Sequence, residues 1–574
     1  MTEPAPISGL RGNYARVEGD PRTRPEPGVL CVPGTEELLV DVALRHLGRA
    51  DGWYRRAGRI VAVGQDDHDK PRIVPVQAAR FSARLSSIVR WQRTNSDGET
   101  LEIGCPPPIA AAAYAASDWP ALSPLVGVQD IPIFRADGSL VQTPGYDAST
   151  RMIYAPSVQL KPIPANISAD MANASLFVLI DLLCDMFFET DAMRYLFPSA
   201  IMSLCARSIS GPVPAHLLLA HQPGTGKGLL SSMISEVGLG KPPPPFHFPV
   251  LSPDDKREAE RWEEQEKRLA QAAASGVRML FLDNLPNGAW FGGPIFDRVV
   301  TAEDTVQLRQ LGRNDEMIEF PWRAIFIVTG NHIHVPNDSR RRCIEAIIQA
   351  TCANPSMRKL SSFKYPDLKL GYCLHNRAEL LWHAYVVLAH HAQNGFGCTH
   401  DRPDLANFER WQQVVCDAIV RAGGLDPSSC ILTVEDSLSG EDQLVGLMMR
   451  VIERLGATPG GTVKDGVTSS QISEHVWSQE WLDALKDSRP PIGEHQYIGD
   501  AREAFTSAWR FHPAKRPGPK ALGTRIVDLC GRVLAGSQVW PADDPSGCQN
   551  REWRILMHKD SKGSPRYSLA MVGK

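Results

Sequence analysis

At 574 residues the chain is too long for one hydrophobic core, and roughly three or four domains are expected. An apolar fraction of 43% with 22% charged residues excludes a largely disordered chain, and 61 Lys and Arg against 65 Asp and Glu exclude a uniformly basic, histone-like DNA binder. The 12 cysteines form neither a CxxC pair nor a zinc-spaced His/Cys cluster, so neither a disulfide framework nor a structural metal is suggested, and reduced thiols in a cytoplasmic protein are expected.

The N-terminus (MTEPAPISGLRG) lacks a signal-peptide pattern. The best apolar run, Leu176 to Phe188, is broken by Asp181 and Asp185 and at 13 residues is too short to span a bilayer, so no membrane partner is expected. Residues 1–30 are rich in Pro, Gly and charge and read as a flexible tail. From Thr35, as N-cap, a helix is expected with Leu38, Leu39, Val42 and Leu47 on one face. A hairpin follows in which Trp53–Tyr54 and Ile60–Val63 flank Arg-Ala-Gly. Residues 31–165 thus read as a small α+β domain. Its Arg80, Arg84, Arg90 and Arg93 lie along an expected helical stretch, either as a solvated face or as a nucleic-acid contact.

Past the Lys161–Pro164 joint, residues 170–208 are helical, and 216–350 alternate apolar strand-like runs with helices, the mark of a parallel α/β sheet. The expected strands are His216–Ala220, Val277–Asp283, Ala324–Thr329 and Cys343–Ile348, with a charged helix near Arg257–Ala274 crossing between two of them. Helices with Leu380, Leu381, Ala384, Val387 and Leu388 on one face continue to residue 425. A linker is expected over 426–466 and a winged-helix-like module over 467–574. In that module Thr468–Gln471 matches a capping box, Leu522, Ile526, Leu529 and Val533 form a helical face, and Gln538–Trp540 pairs with Trp553–Met557 as a hairpin.

Three motifs carry chemistry. The run His221-Gln222-Pro223-Gly224-Thr225-Gly226-Lys227-Gly228 follows a strand and opens a helix near Leu229. A phosphate-binding loop needs glycines that turn successive N–H groups inward, a helix N-terminus and a Lys on the terminal phosphates. Pro223 to Leu229 therefore form the candidate nucleotide loop. Two positions depart from the usual pattern: His221 replaces the first Gly, and Gly228 replaces the Ser or Thr that would ligate Mg²⁺.

Val277–Asn284 is an apolar strand ending in Asp283, the expected Mg²⁺ residue at the C-terminal edge of the sheet. Asn284 stands where many such ATPases carry a Glu base, leaving hydrolysis slow or assisted by Glu303 or Asp304. A third strand ends in Thr329-Gly330-Asn331, whose amide is placed to position water. Arg340-Arg341-Arg342 follows, reading as an arginine finger toward a neighbouring subunit or as a salt-bridged turn.

The order GTGKG, LFLDN, LGR at Leu311–Arg313, VTGNH, DSRRR, FKYPDL and NRAELL resembles the ATPase module of primase-helicase-like proteins of phages, plasmids and integrative elements, related to superfamily 3 and AAA+ ring helicases. It covers roughly residues 170–425 and extends more weakly to the segment before. The resemblance implies an AAA+-like P-loop ATPase core in a homo-hexameric ring. ATP and Mg²⁺ would sit at the subunit interfaces, with Lys227 on the phosphates, Asp283 on the metal, Asn331 as sensor and Arg341 or Arg342 as finger. It also implies a pore hairpin near Arg309–Glu319, making Arg309 and Arg313 candidate DNA contacts or ordinary loop and intersubunit charges.

The span Phe505–Ala535 carries six basic residues, Lys515, Arg516, Lys520 and Arg525 among them, against Asp528 alone, so the C-terminal module either grips duplex phosphates or docks protein. The N-terminal region shows no paired acidic motif of a primase or polymerase, so priming is expected from elsewhere, such as a separate primase, and not from this chain. The leading expectation is an ATP-dependent ring helicase or translocase on single-stranded and forked DNA in replication of a mobile element, alongside host replication proteins. An ATP-binding initiator or scaffold that unwinds little is the alternative, and a regulatory or defence NTPase the third.

Overall fold

The computed structural model describes residues 28–432 apart from 221–223, 251–257, 287–288, 311–312, 332, 351–357, 359–360 and 362. Of the C-terminal part it describes 447–449, 451–452, 455, 467–476, 505, 517, 520, 522, 525–526, 533–535, 552–559 and 565–572. The chain divides into two compact units, Met1–Leu432 and Thr433–Lys574.

The described residues of the first unit open with Val29–Leu30, a strand inside the segment expected to be tail, paired in parallel with Trp91–Thr94. In the helix Glu36–His46 the buried face is Leu39 and Ala43, continued by Leu47 in the turn that follows, while Leu38 is exposed. A spacing of four keeps these three on one side, and Leu38 falls off that line. Trp53–Arg56 and Arg59–Gln65 form the expected hairpin across Ala57-Gly58, both at positive φ (47° and 65°), the backbone that matches strand twist in a two-residue turn. Of the four arginines expected on one helix, Arg80 and Arg84 lie on Ala78–Ile88, Arg93 is on the strand Trp91–Thr94, and Arg90 pairs with Glu102.

The central sheet has five strands: β1 (Phe187–Phe188), β2 (Ala215–Leu219), β3 (Met279–Leu285), β6 (Ile325–Gly330) and β7 (Cys343–Gln349), in the order β1-β7-β2-β6-β3. The last four are mutually parallel and β1 is antiparallel to β7. Beyond β3, the Phe246 N–H donates to the Phe281 carbonyl at 2.7 Å, extending the edge by one bridge.

Before, between and after these strands run α1 (Ala169–Asp181), α2 (Leu196–Ala206), α3 (Lys227–Leu239), α4 (Glu258–Ser275), α5 (Pro294–Val300) and α6 (Arg377–Gln393). Period-two alternation sends Leu218, Phe281, Ile327 and Ala346 to one face against α1, α2, α3 and α6. Leu217, Leu280, Phe326 and Val328 go to the other, against α4 and α5. Both faces are covered, as a parallel sheet requires, and that is why these strands read as continuous apolar runs.

An antiparallel hairpin, β4 (Thr305–Gln310) with β5 (Arg313–Pro321), stands on the α4 side just before β6.

The boundary expected at residue 165 does not separate compact units. Asp130, with its side chain only 4% exposed, binds Arg377 at 2.8 Å, Arg278 at 3.5 Å and Lys70 at 3.5 Å, and accepts from the Ser157 hydroxyl at 2.5 Å. A buried carboxylate is tolerated only with such partners, and these come from both sides of residue 165. Asp426–Leu432, expected as linker, belongs to the first unit: the Leu432 N–H donates to the Cys343 carbonyl at 3.0 Å.

In the second unit the Thr468 capping box forms. The Gln471 N–H donates to Thr468 Oγ1 at 3.2 Å and the Thr468 N–H to Gln471 Oε1 at 2.8 Å, opening the helix Ser469–Val476. Three antiparallel strands follow, Val533–Ala535, Glu552–Lys559 and Pro565–Val572, the middle one pairing with both others. Val533 is thus the start of a strand rather than part of a helical face, and the partners of Trp553–Met557 are Val533–Ala535 and Pro565–Val572; Gln538–Trp540 and Leu529 lie outside the described residues. Leu522 and Ile526 are fully buried.

Candidate functional site

The site lies at the C-terminal edge of the sheet, where β2, β6 and β3 end side by side. After β2 the chain reaches Gly224 (φ 81°) and Gly226 (φ 106°), both left-handed, and α3 starts at Lys227. Side chains at these two positions would be strained, which is why glycine occupies them. A Cβ on Gly226 would also meet the Met186 methyl at 3.4 Å, whereas one on Gly228 would meet open space. Pro223, with His221 and Gln222, lies outside the described residues. The first N–H groups of α3 have no partner within the helix, so this end offers positive potential to an anion.

Lys227 Nζ donates to Asn331 Oδ1 at 2.6 Å, and the lysine is only 9% exposed. Burial lowers its pKa. Residues 104 apart in sequence thereby meet between the start of α3 and the end of β6. Among the described residues the partner of this ammonium is one neutral amide, and an ammonium carries three donors.

At β3 the pairing with β6 shifts register between Leu282 and Leu285, so that Asp283 and Asn284 together oppose the single residue Thr329. Such a bulge re-aims the side chains it carries. Asn284 sits at φ +47°, a conformation that Asn adopts more readily than most side chains, so the residue that departs from the usual ATPase pattern fits this backbone. Thr329, 1% exposed, ties the bulge down. Its Oγ1 accepts from the Asn284 N–H at 2.6 Å and donates to Asp283 Oδ1 at 2.9 Å. The Asp283 carboxylate is exposed at the sheet edge with its second oxygen unengaged by this bond.

Among the described residues no three His, Cys, Asp or Glu side chains gather as a metal site. The donor set fits Mg²⁺ held by one carboxylate, water and substrate oxygens rather than by a protein cage. Asp283 would be that carboxylate, and Gly228, without a side chain, leaves its share of the shell to water.

The arginines differ in their surroundings. Arg342 is engaged within the chain, 3.4 Å from Asp297 Oδ1 and donating to the Asp338 carbonyl, and burial raises the pKa of Asp297. Arg341 is exposed. Arg309 is exposed on β4 opposite Met317, and the Arg313 backbone opens β5; the turn between them, Leu311–Gly312, lies outside the described residues. Lys520 and Arg525 are exposed, and Lys515 and Arg516 lie outside the described residues.

Glu303 and Asp304, expected as acids that could assist, are not brought to Asp283. The Trp322 N–H donates to the Asp304 carbonyl at 2.9 Å, and Arg323 binds the Asp304 carboxylate at 2.6 Å, both at the start of β6. The site lies at the other end of that strand, about 20 Å away at the usual rise per residue.

Thr329 is not among the residues expected to matter from the sequence, where it reads only as part of the strand ending before Asn331. Its only sequence signal is a hydroxyl in an otherwise apolar buried run, Ile325–Val328.

No family model matches the chain, and no curated protein matches it. Among solved structures it is similar to the A form apo structure of the NrS-1 C terminal region, at 12% identity over 92% of this chain and 98% of that one, with a TM-score of 0.27. The shorter NrS-1 C terminal region, residues 305–718 of that protein, matches at 10% identity over 89% of this chain and 96% of that one, with a TM-score of 0.30. An inhibitor-bound JCV helicase matches at 18% identity over 43% of this chain and 57% of that one, with a TM-score of 0.20.

Proposed function

We propose that this chain is an ATP-dependent DNA helicase or translocase with a P-loop ATPase core, working as a homo-hexameric ring on single-stranded or forked DNA during replication of a mobile element. The observation that supports it is one contact and one adjacency at a single edge of the sheet. Lys227 lies 2.6 Å from Asn331, one strand over from the bulge that presents Asp283 at the same edge. In this reading the α3 N-terminus, Gly224, Thr225, Gly226 and Lys227 hold the ATP phosphates. Asp283 holds Mg²⁺ through water, the metal supplying charge neutralisation at the phosphates, and Asn331 passes Lys227 to the nucleotide and orients water.

Arg341, exposed beside the internally paired Arg342, is the better finger toward the next subunit. The β4–β5 hairpin with Arg309 would face DNA, and Lys520 and Arg525 would add duplex phosphate contacts. Priming falls to a separate protein.

Asn284 favours a second reading, an ATP-binding initiator or scaffold that turns over slowly, because an amide in that position accepts a proton poorly. Strand displacement on a forked duplex decides between them. The helicase reading expects ATP-fuelled unwinding by wild type and none by Lys227→Ala; a wild type that binds ATP and DNA without unwinding leaves the scaffold.

A further inference from the structure

The opposite edge of the sheet holds a second cluster of positive charge. Arg56, from the N-terminal hairpin, and Arg207, directly after α2, are each 5% exposed. Arg323 stands just before β6, and all three line one cavity. Nε and Nη1 of both Arg56 and Arg207, and Nε of Arg323, are buried with no hydrogen-bond partner among the described residues. Arg56 uses Nη2 alone, on the Ala273 and Pro321 carbonyls at 2.8 and 3.5 Å.

Asp304 is already taken and largely exposed: it binds Arg323 Nη2, while Arg323 Nη1 donates to the Glu303, Asp304 and Trp322 carbonyls, which leaves Nε of that arginine facing the cavity. Arg278, on the same wall, is spent on Asp130 and on the Leu204 carbonyl at 3.0 Å. The carbonyl ends of α2 and α4 close on this edge and soften the repulsion, yet they leave those nitrogens without an acceptor.

Such nitrogens in a native interior call for an explanation, and an ion that completes them is one. The cavity leaves about 20 Å³ for atom centres, enough for a few oxygens grouped around one atom and too little for an extended ligand. A nucleotide does not fit. An oxyanion whose oxygens close around one central atom does, and guanidinium forks match its oxygens. Arg207, Ser208 and Arg323 also wall a wider, open cleft of about 330 Å³ carrying Glu303, Asp304 and Glu409, which offers an entry side.

We propose that Arg56 and Arg207, with Arg323 Nε beside them, bind a compact tetrahedral oxyanion of the phosphate class at the sheet edge opposite Lys227. Bound there, the anion ties the N-terminal hairpin and the end of α2 to the base of the β4–β5 hairpin, since Pro321 closes β5 and Arg323 follows it. Burial, with Arg323 nearby as a second cause, pushes Arg56 down to about 10 and Arg207 to about 9, the direction expected for cations lacking a counter-ion.

Thermal unfolding of the full chain in orthophosphate against chloride at equal ionic strength tests the site. Orthophosphate is expected to raise the midpoint by a few degrees in wild type and in Lys227→Ala, and Arg207→Met is expected to lose the shift. Arg207→Met removes an uncompensated buried cation and keeps most of its volume, so folding should survive; Arg56→Met serves as the second variant. A 5′-phosphorylated oligonucleotide cannot enter so small a cavity and is expected to give no Arg207-dependent shift. The proposal is overturned if orthophosphate gives no shift in wild type, if the shift vanishes in Lys227→Ala and survives in Arg207→Met, or if only the oligonucleotide produces an Arg207-dependent effect. A loss confined to Lys227→Ala would place the anion at the nucleotide loop and leave the proposed function untouched.

Discussion

Thr329→Val is the sharpest test of how the bulge on β3 works. The substitution preserves shape and removes one hydroxyl that both accepts from the Asn284 N–H and donates to Asp283. A hydrogen bond to a charged group contributes about 1.5–3 kcal/mol and a stranded N–H costs about 1–3 kcal/mol when dry. Asp283 and Asn284 are both exposed, so water replaces part of each loss. A net destabilisation of about 1–2 kcal/mol follows, in the range of ordinary point mutants.

The functional effect should be larger, because a residue that orients a metal ligand typically changes metal affinity or activity by about 10–100-fold. Equilibrium unfolding gives the first quantity, and Mg²⁺ titration of nucleotide binding and ATP turnover gives the second. Thr329→Ser, which keeps the hydroxyl, should behave as wild type on both. A folded Thr329→Val with wild-type Mg²⁺ dependence would refute the view that this hydroxyl positions Asp283.

The two arginines before β7 should part company. Arg341→Ala is expected to lose ATP turnover with unchanged stability and to regain part of it when mixed with Lys227→Ala subunits, whereas Arg342→Ala should lower stability by breaking its contacts to Asp297 and Asp338; equal behaviour of the two in mixing and unfolding assays would remove the assignment. Asp130→Asn leaves Arg377, Arg278 and Lys70 facing a neutral amide and should cost about 3–5 kcal/mol in denaturant unfolding of the first unit, a loss below 1 kcal/mol counting against the hub.

His216, fully buried on β2 with Nδ1 on the Pro214 carbonyl and Nε2 on the Ser199 hydroxyl, is pushed down to about 4 by burial. The unfolded chain binds a proton first, near 6.5, so this stability is complete above that pH and falls toward pH 4 by up to about 3 kcal/mol. His216→Gln should flatten the wild-type decline between those values, and an unchanged slope would mean that other groups carry it.

Much of the core was legible in one dimension because a parallel sheet buried on both faces demands long apolar runs. The expected strands at 216, 277, 324 and 343 appear within two residues of their places, and the charged helix before β3 lies where its composition put it. The Thr468 capping box was equally readable, since its two hydrogen bonds depend on a spacing of three and nothing else. Leu38 shows the limit of such local rules: its side chain counts as apolar in any pattern, and only the line through Leu39, Ala43 and Leu47 tells which side of the helix is covered.

Asp283, Asn331 and Lys227 were nameable from motif chemistry and strand context. That Lys227 rests on Asn331, and that Thr329 holds both members of the bulge, depends on which strands become neighbours, and strand order is not encoded by any one strand's own pattern. The same reason explains why Glu303 and Asp304 looked available and are not, because both ends of β6 are close in sequence to them while only one is close in space. Sequence alone therefore determined which residues could do chemistry, through side-chain type and local periodicity. Tertiary structure decided which of them meet, joined the part before residue 165 to the part after it through Asp130, and brought Arg56, Arg207 and Arg323 around one cavity, since burial and long-range pairing are set by the packing of the whole unit.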